Sequence, residues 1–195
     1  MRTFIALDIA DTIRERIARF MEGVCGFAPD ARWVRAESLH VTLKFIGEKP
    51  AEAVEDIKRA LSAVHAEPLE ITFRGHGFFP TATAPRVFWV GIESGPRLAN
   101  LAKMVDEATS ALGIPKEDRP FSPHLTLARS GGRSGSPRWQ KGDAPNKMFQ
   151  RLQEKLGALP APEFGTMQAH EFFLYESRLM RGGARYTKIS RFPLL

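Results

Sequence analysis

His40-Val41-Thr42-Leu43 and His124-Leu125-Thr126-Leu127 spell one pattern twice, in a chain of 195 residues that holds five histidines. Successive side chains of an extended strand point to opposite faces, so the His and the Thr of each copy share one face while the apolar residues share the other. Each copy therefore presents an imidazole beside a hydroxyl and anchors itself through Val41 and Leu43 or Leu125 and Leu127. A lone His-x-Thr strand reads more readily as a structural histidine. Two matched copies, one in each half of the chain, instead suggest two strands facing across a cleft.

The flanking sequence supports a duplicated organisation. Residues 3–9 read as a buried strand, and Thr12 with Glu15 resembles a capping box opening a helix whose Ile13, Ile17, Phe20 and Val24 recur at helical spacing. The first motif strand spans about 39–46. A helix follows at about 51–64, then strands at 69–73 and 87–92 separated by a turn region rich in Gly, Pro and Thr. In the second half a helix fits 96–112, stopped by Gly113 and Pro115, and the second motif strand begins after Pro123. A helix at 147–157 and two strands, 166–176 and 184–192, turning at Gly182-Gly183, close the chain.

The expected fold is α+β: a single bilobed, internally duplicated domain over 1–195, with two mainly antiparallel sheets flanking a central cleft and helices outside. Each lobe contributes one His-x-Thr strand. A fully parallel doubly wound sheet is the rival, weakened by adjacent strands whose connections contain no helix.

Composition limits the function. At 43% hydrophobic and 26% charged residues the chain is neither disordered nor fibrous. A net charge of +6 favours polyanionic partners. The single cysteine, Cys25, permits no intrachain disulfide and no cysteine-based zinc site, and no stretch approaches the roughly 20 apolar residues of a membrane helix. These features fit a soluble cytoplasmic protein with no membrane partner.

The repeated motif suits phosphoester chemistry without a metal. Cleaving a phosphodiester needs one group to take a proton from the attacking oxygen and another to protonate the departing one. Histidine, with an ordinary pKa near 6.5, serves both roles. Thr42 and Thr126 can donate hydrogen bonds to the non-bridging oxygens, where charge accumulates.

With these residues the chain resembles the 2H phosphoesterases, and within them the RNA 2′,3′-cyclic phosphodiesterases, also called 2′-5′ RNA ligases. The likeness covers nearly the whole chain. It includes Arg2-Thr3-Phe4-Ile5-Ala6-Leu7, His40-Val41-Thr42-Leu43-Lys44-Phe45-Ile46-Gly47, Pro123-His124-Leu125-Thr126-Leu127-Ala128-Arg129, Leu174-Tyr175-Glu176-Ser177 and Ala184-Arg185-Tyr186. The resemblance implies a pseudo-two-fold bilobed fold, no cofactor or metal, His40 as general acid, His124 as general base, and Thr42 and Thr126 as phosphate ligands. The implied substrate is RNA ending in a 2′,3′-cyclic phosphate or a related small cyclic phosphodiester. It would be opened to a 2′-phosphate, with reverse 2′-5′ ligation through the same residues and a monomer sufficient.

Other residues read less specifically. Arg129 follows the second motif; parity puts it opposite His124 unless the strand ends there, in which case it can reach substrate phosphate or base. The Gly-, Ser- and Pro-rich insertion at 130–145, with Arg133, Arg138, Lys141 and Trp139, reads either as a grip for single-stranded RNA or as a solvated loop. Phe45 shares parity with Val41 and Leu43 and reads as core packing. His65, His76 and His170 lack a Thr partner and read as surface or structural. A zinc site built on His40, His124 and a third histidine has no ligand spacing to support it. The rival function is a non-catalytic single-stranded RNA-binding module using the same cleft.

Overall fold

The computed structural model describes residues 1–131 and 147–195. The insertion read at 130–145 falls almost wholly outside them. Nine strands and four α-helices are described, in the order β1 (Arg2–Leu7), α1 (Asp11–Val24), β2 (Arg32–Trp33), β3 (Val41–Glu48), α2 (Ala51–Ser62), β4 (Leu69–Phe79), β5 (Val87–Glu93), α3 (Gly95–Ser110), β6 (His124–Arg129), α4 (Gln150–Gly157), β7 (Glu163–Ala169), β8 (Glu171–Met180) and β9 (Gly183–Pro193).

The strands form two sheets, ordered β3-β1-β8-β9 and β2-β6-β5-β4-β7. Every pairing is antiparallel, so the parallel alternative is excluded and the α+β reading holds. Each motif strand has its own sheet and lies beside the opening strand of its half, β3 beside β1 and β6 beside β5. The sheets are not the two halves of the sequence, however. After α2 the chain crosses into the second sheet as β4, and after β7 it returns to the first sheet as β8 and β9. Each half thus gives closing strands to the other's sheet, which ties the two walls together with backbone hydrogen bonds.

The helices form where apolar residues recur along one stripe. Ile13, Ile17, Met21 and Val24 of α1, Val54, Ile57 and Leu61 of α2, and Leu98, Leu101 and Val105 of α3 are buried in one continuous core with Ile5, Leu7, Val41, Leu43, Leu125 and Leu127. At about 1.5–3 kcal/mol for each fully buried aliphatic side chain, this core anchors both motif strands through their apolar positions. The Thr12–Glu15 capping box does not form. The helix starts two residues earlier, with Ala10 in place of Thr12 as its N-cap, because the Ala10 carbonyl already accepts the Arg14 amide at 2.9 Å, and no side chain caps it.

Two sequence expectations fail for one physical reason. Pairing of β1 with β3 skips Leu43, and pairing of β5 with β6 skips Leu127. Each skip works as a β-bulge does, reversing the facing of the residues that follow, in β3 until a second skip at Ile46. Lys44 therefore turns into the core, opposite Ile5, where its ammonium meets the Asp106 carboxylate of α3 and donates to the Pro115 carbonyl at 2.7 Å. Phe45 is returned to the Thr42 face and is 53% exposed, so its reading as core packing is wrong. Arg129 is likewise returned to the Thr126 face, and it gets there through the bulge rather than by the strand ending.

The expected strand 166–176 is instead two strands broken at His170, β7 pairing with β4 and β8 with β1 and β9. No Gly or Pro marks the break, but the pattern changes there: β7 alternates, whereas β8 opens on four consecutive buried residues, Phe172 to Tyr175.

Candidate active site

His40 stands at the threshold of β3 and His124 is the first residue of β6. Their rings are held alike. Nδ1 of His40 donates to the Ser38 carbonyl at 2.7 Å, and Nδ1 of His124 donates to the Ser122 carbonyl at 2.8 Å. A carbonyl can only accept, so each neutral ring keeps its proton on Nδ1 and offers Nε2 as a base. The pattern is therefore Ser-x-His-x-Thr in both copies. The serine two residues before each histidine is a further signal in the sequence, one that the His-x-Thr reading passes over.

The surroundings of the two rings differ. Nε2 of His40 lies 2.9 Å from Thr42 Oγ1. In the neutral ring the threonine hydroxyl donates into Nε2; in the imidazolium the ring donates to the hydroxyl oxygen. The Phe4 ring lies 4.9 Å from His40, tilted, and Tyr186 meets it edge-on at 5.3 Å, with Tyr175 at 6.3 Å. Phe4, Ala6, Phe173 and Tyr175 form a small separate cluster beneath the ring on this wall. Across the cleft, His124 meets the Phe79 ring edge-on at 5.0 Å, and Phe79 packs on Trp89, the cross-strand neighbour of Thr126. The Trp89 indole reaches this place only because residue 77 is a glycine. A Cβ there would stand 2.2 Å from the ring.

Burial lowers the pKa of both histidines, that of His40 from 6.5 to about 4. The Ser38 and Ser122 carbonyls act against burial in each case, and the Arg129 guanidinium lowers both further. Asp8 raises the pKa of His40 and the charge of His124 lowers it, so the two imidazoles sense one another. Arg129, half-buried on β6 and paired in register with Arg32 of β2, thus acts on both rings at once.

Behind His40 lies a brace. Arg14, in the first turn of α1, pairs with Asp8 and donates to the Ala36 carbonyl at 2.6 Å and the Leu39 carbonyl at 3.3 Å. These two carbonyls flank Ser38, so Arg14 fixes the short turn from which the Ser38 carbonyl reaches His40. Lys188 of β9 holds the second Asp8 oxygen and stands 4.2 Å above the Phe173 ring. A pocket of about 340 Å³ opens between Asp8, His40, Tyr175, Tyr186 and Lys188. Tyr175 and Tyr186 lie in segments that carry the family resemblance, whereas Asp8, Arg14 and Lys188 carry no local signal, because they converge from the end of β1, from α1 and from β9.

His65 and His170 are exposed, and His76 is half-buried against Phe88 with its pKa lowered by burial. Among the described residues no three His, Cys, Asp or Glu side chains are gathered as metal ligands would be, and no helix is long and apolar enough to cross a membrane.

Comparison with known proteins matches this architecture. The family model for LigT-like phosphoesterases matches the chain twice, over residues 7–89 and 90–186, one match around each motif. An RNA 2′,3′-cyclic phosphodiesterase of Archaeoglobus fulgidus is 32% identical over 192 residues, covering 98% of this chain and 99% of that protein. One from Geobacillus stearothermophilus is 35% identical over 194 residues, and this chain spans 57% of its length. The structure of Escherichia coli LigT complexed with 3′-AMP superposes with a TM-score of 0.76 at 28% identity, over 99% of this chain and 97% of that one. With a motif strand in each of two matches to one family model, and relatives alike along the full chain, this protein belongs to the LigT-like phosphoesterase family.

Proposed function

We propose that this protein is a hydrolase that opens the terminal 2′,3′-cyclic phosphate of RNA to a 2′-phosphate, with His124 as general base and His40 as general acid. The observation that carries the reading is the matched anchoring of the two imidazoles, each tied at Nδ1 so that Nε2 is the nitrogen that exchanges protons. Nε2 of His124 takes a proton from water as the water oxygen bonds to phosphorus. The bond from phosphorus to the 3′ oxygen breaks in line, and Nε2 of His40 supplies the proton that this oxygen gains. Thr42 and Thr126 donate to the non-bridging oxygens, and Arg129 neutralises their charge.

The low pKa of His40 makes protonation depend on substrate. In the resting site Thr42 and His40 satisfy one another. An anionic phosphate entering beside the ring favours the imidazolium, which turns Nε2 into a donor and releases the Thr42 hydroxyl to the phosphate. A phosphodiester anion thus recruits its own acid. The 3′-AMP held by the Escherichia coli structure supports a nucleotide as occupant. Attack by an RNA 5′ hydroxyl in place of water would run the same groups toward a 2′-5′ linkage. Because one chain supplies both histidines, a monomer working as one domain over 1–195 suffices, and the lone cysteine suits the cytoplasm.

The test is incubation with a short RNA ending in a 2′,3′-cyclic phosphate in excess chelator. A 2′-phosphate product supports the reading. Binding without turnover would favour a non-catalytic RNA-binding module, and activity abolished by chelator would indicate a metallohydrolase.

A further inference from the structure

We propose that the free end of the β8–β9 hairpin is the surface along which the RNA chain upstream of the cyclic phosphate lies. This rests on the acid–base direction assigned above. In an in-line opening the water and the departing 3′ oxygen stand on opposite sides of phosphorus. If His40 protonates the 3′ oxygen, the terminal ribose lies on the His40 wall. Its 5′ carbon and every preceding nucleotide must then continue over that sheet and not over the sheet that carries His124.

Along that wall the strand register extends a strip of the same facing beyond His40. Tyr186, edge-on to the ring, pairs with Ser177, and Leu179 pairs with Ala184 two positions further out. Leu179 is 90% exposed, the highest value among the large apolar side chains described. Apolar surface with backbone on either side suits a ribose or base face without selecting sequence. Charge complements it. Arg181 is exposed in the turn, and Arg35 lies against the same tip, its Nη2 donating to the Gly182 carbonyl at 3.2 Å. Glu176, bonded to Arg178 at 2.9 Å, is the only acid between residues 175 and 188. The strip thus joins the cleft at Tyr186 and ends in arginines placed for phosphates.

The experiment compares a nucleoside 2′,3′-cyclic phosphate with an RNA octamer ending in the same group, for the wild type and for Leu179→Ser/Arg181→Gln and Arg35→Gln. Both variants should raise KM for the octamer about tenfold, the scale of one charge-assisted phosphate hydrogen bond, and leave turnover of the mononucleotide unchanged. Unchanged mononucleotide turnover also reports intact folding. In the salt dependence of octamer binding, the logarithmic slope should fall by about 0.7 for each phosphate that is no longer neutralised. Equal effects on both substrates, or none on the octamer, would overturn the proposal while leaving the hydrolase reading in place. Failure of the wild type to turn over either substrate would overturn the reaction itself, and the proposal with it.

Discussion

The two walls of the cleft carry the same motif in different settings. On the first wall His40 is bonded to Thr42, enclosed by Phe4, Tyr175 and Tyr186, and backed by Asp8 and the Arg14 brace. On the second, His124 is anchored through Nδ1, touches Phe79, and shares its face with Arg129. The residue five positions after each histidine, turned inward by the bulge, is Phe45 on one wall and Arg129 on the other. Duplication thus supplies two imidazoles anchored alike in different settings. The Asp8 carboxylate raises the pKa of His40, while the Arg129 guanidinium lowers that of both rings.

The strongest way to break this comparison is to remove each ring. His40→Ala and His124→Ala should each cost about 10²–10⁴ in kcat on a 2′,3′-cyclic phosphate. An aryl phosphodiester, whose leaving group needs no acid, should restore most of the activity of His40→Ala and little of that of His124→Ala. The opposite pattern would reverse the roles of the two walls.

Next in size is Arg129→Ala, expected to lower kcat/KM by about 10²–10³ as stabilisation of phosphate charge is removed. Its charge depresses both histidines, so its removal lets His124 keep a proton to higher pH, and the acid limb of the kcat/KM profile should move upward. A fall in rate with an unmoved limb would mean that Arg129 touches substrate without tuning the base.

Arg14→Gln tests the brace found on the first wall. It should reduce kcat about tenfold with KM nearly constant, because a loosened Ser38 carbonyl lets the acid leave its in-line position. An aryl substrate should again erase the defect. A rise in KM alone would count against a positioning role.

The smallest effect is on stability. The folded pKa of His40, about 4, lies below its ordinary 6.5, so its contribution is fully present above pH 6.5 and is lost as pH falls through 4. Thermal unfolding of wild type and His40→Ala should therefore converge as the pH is lowered across this window. Parallel curves would show that the ring is not held neutral by burial.

Much of the site was legible because it is local. His and Thr two apart on a strand share a face whatever the rest of the chain does, and the helical stripes of α1, α2 and α3 appear in the spacing of their aliphatic residues. Phe45 and Arg129 were misplaced because strand parity assumes an unbroken ladder, and whether Leu43 or Leu127 is skipped depends on the partner strand. The change from alternation in β7 to the apolar run Phe172 to Tyr175 in β8 stands in the sequence, but the sheet that each strand joins is set by its partner strands.

By itself the sequence determined the duplication, the paired imidazoles and hydroxyls, the basic charge and the antiparallel α+β class, all of them properties of spacing and composition. The tertiary structure alone decided which side chains meet those imidazoles. The exchange of β4 with β8 and β9 brings Tyr175, Tyr186 and Lys188 to the His40 wall and Phe79 to the His124 wall across long sequence separations. Local sequence encodes where a side chain points along its own strand; burial, charge and hydrogen-bond partners come from the strands laid beside it.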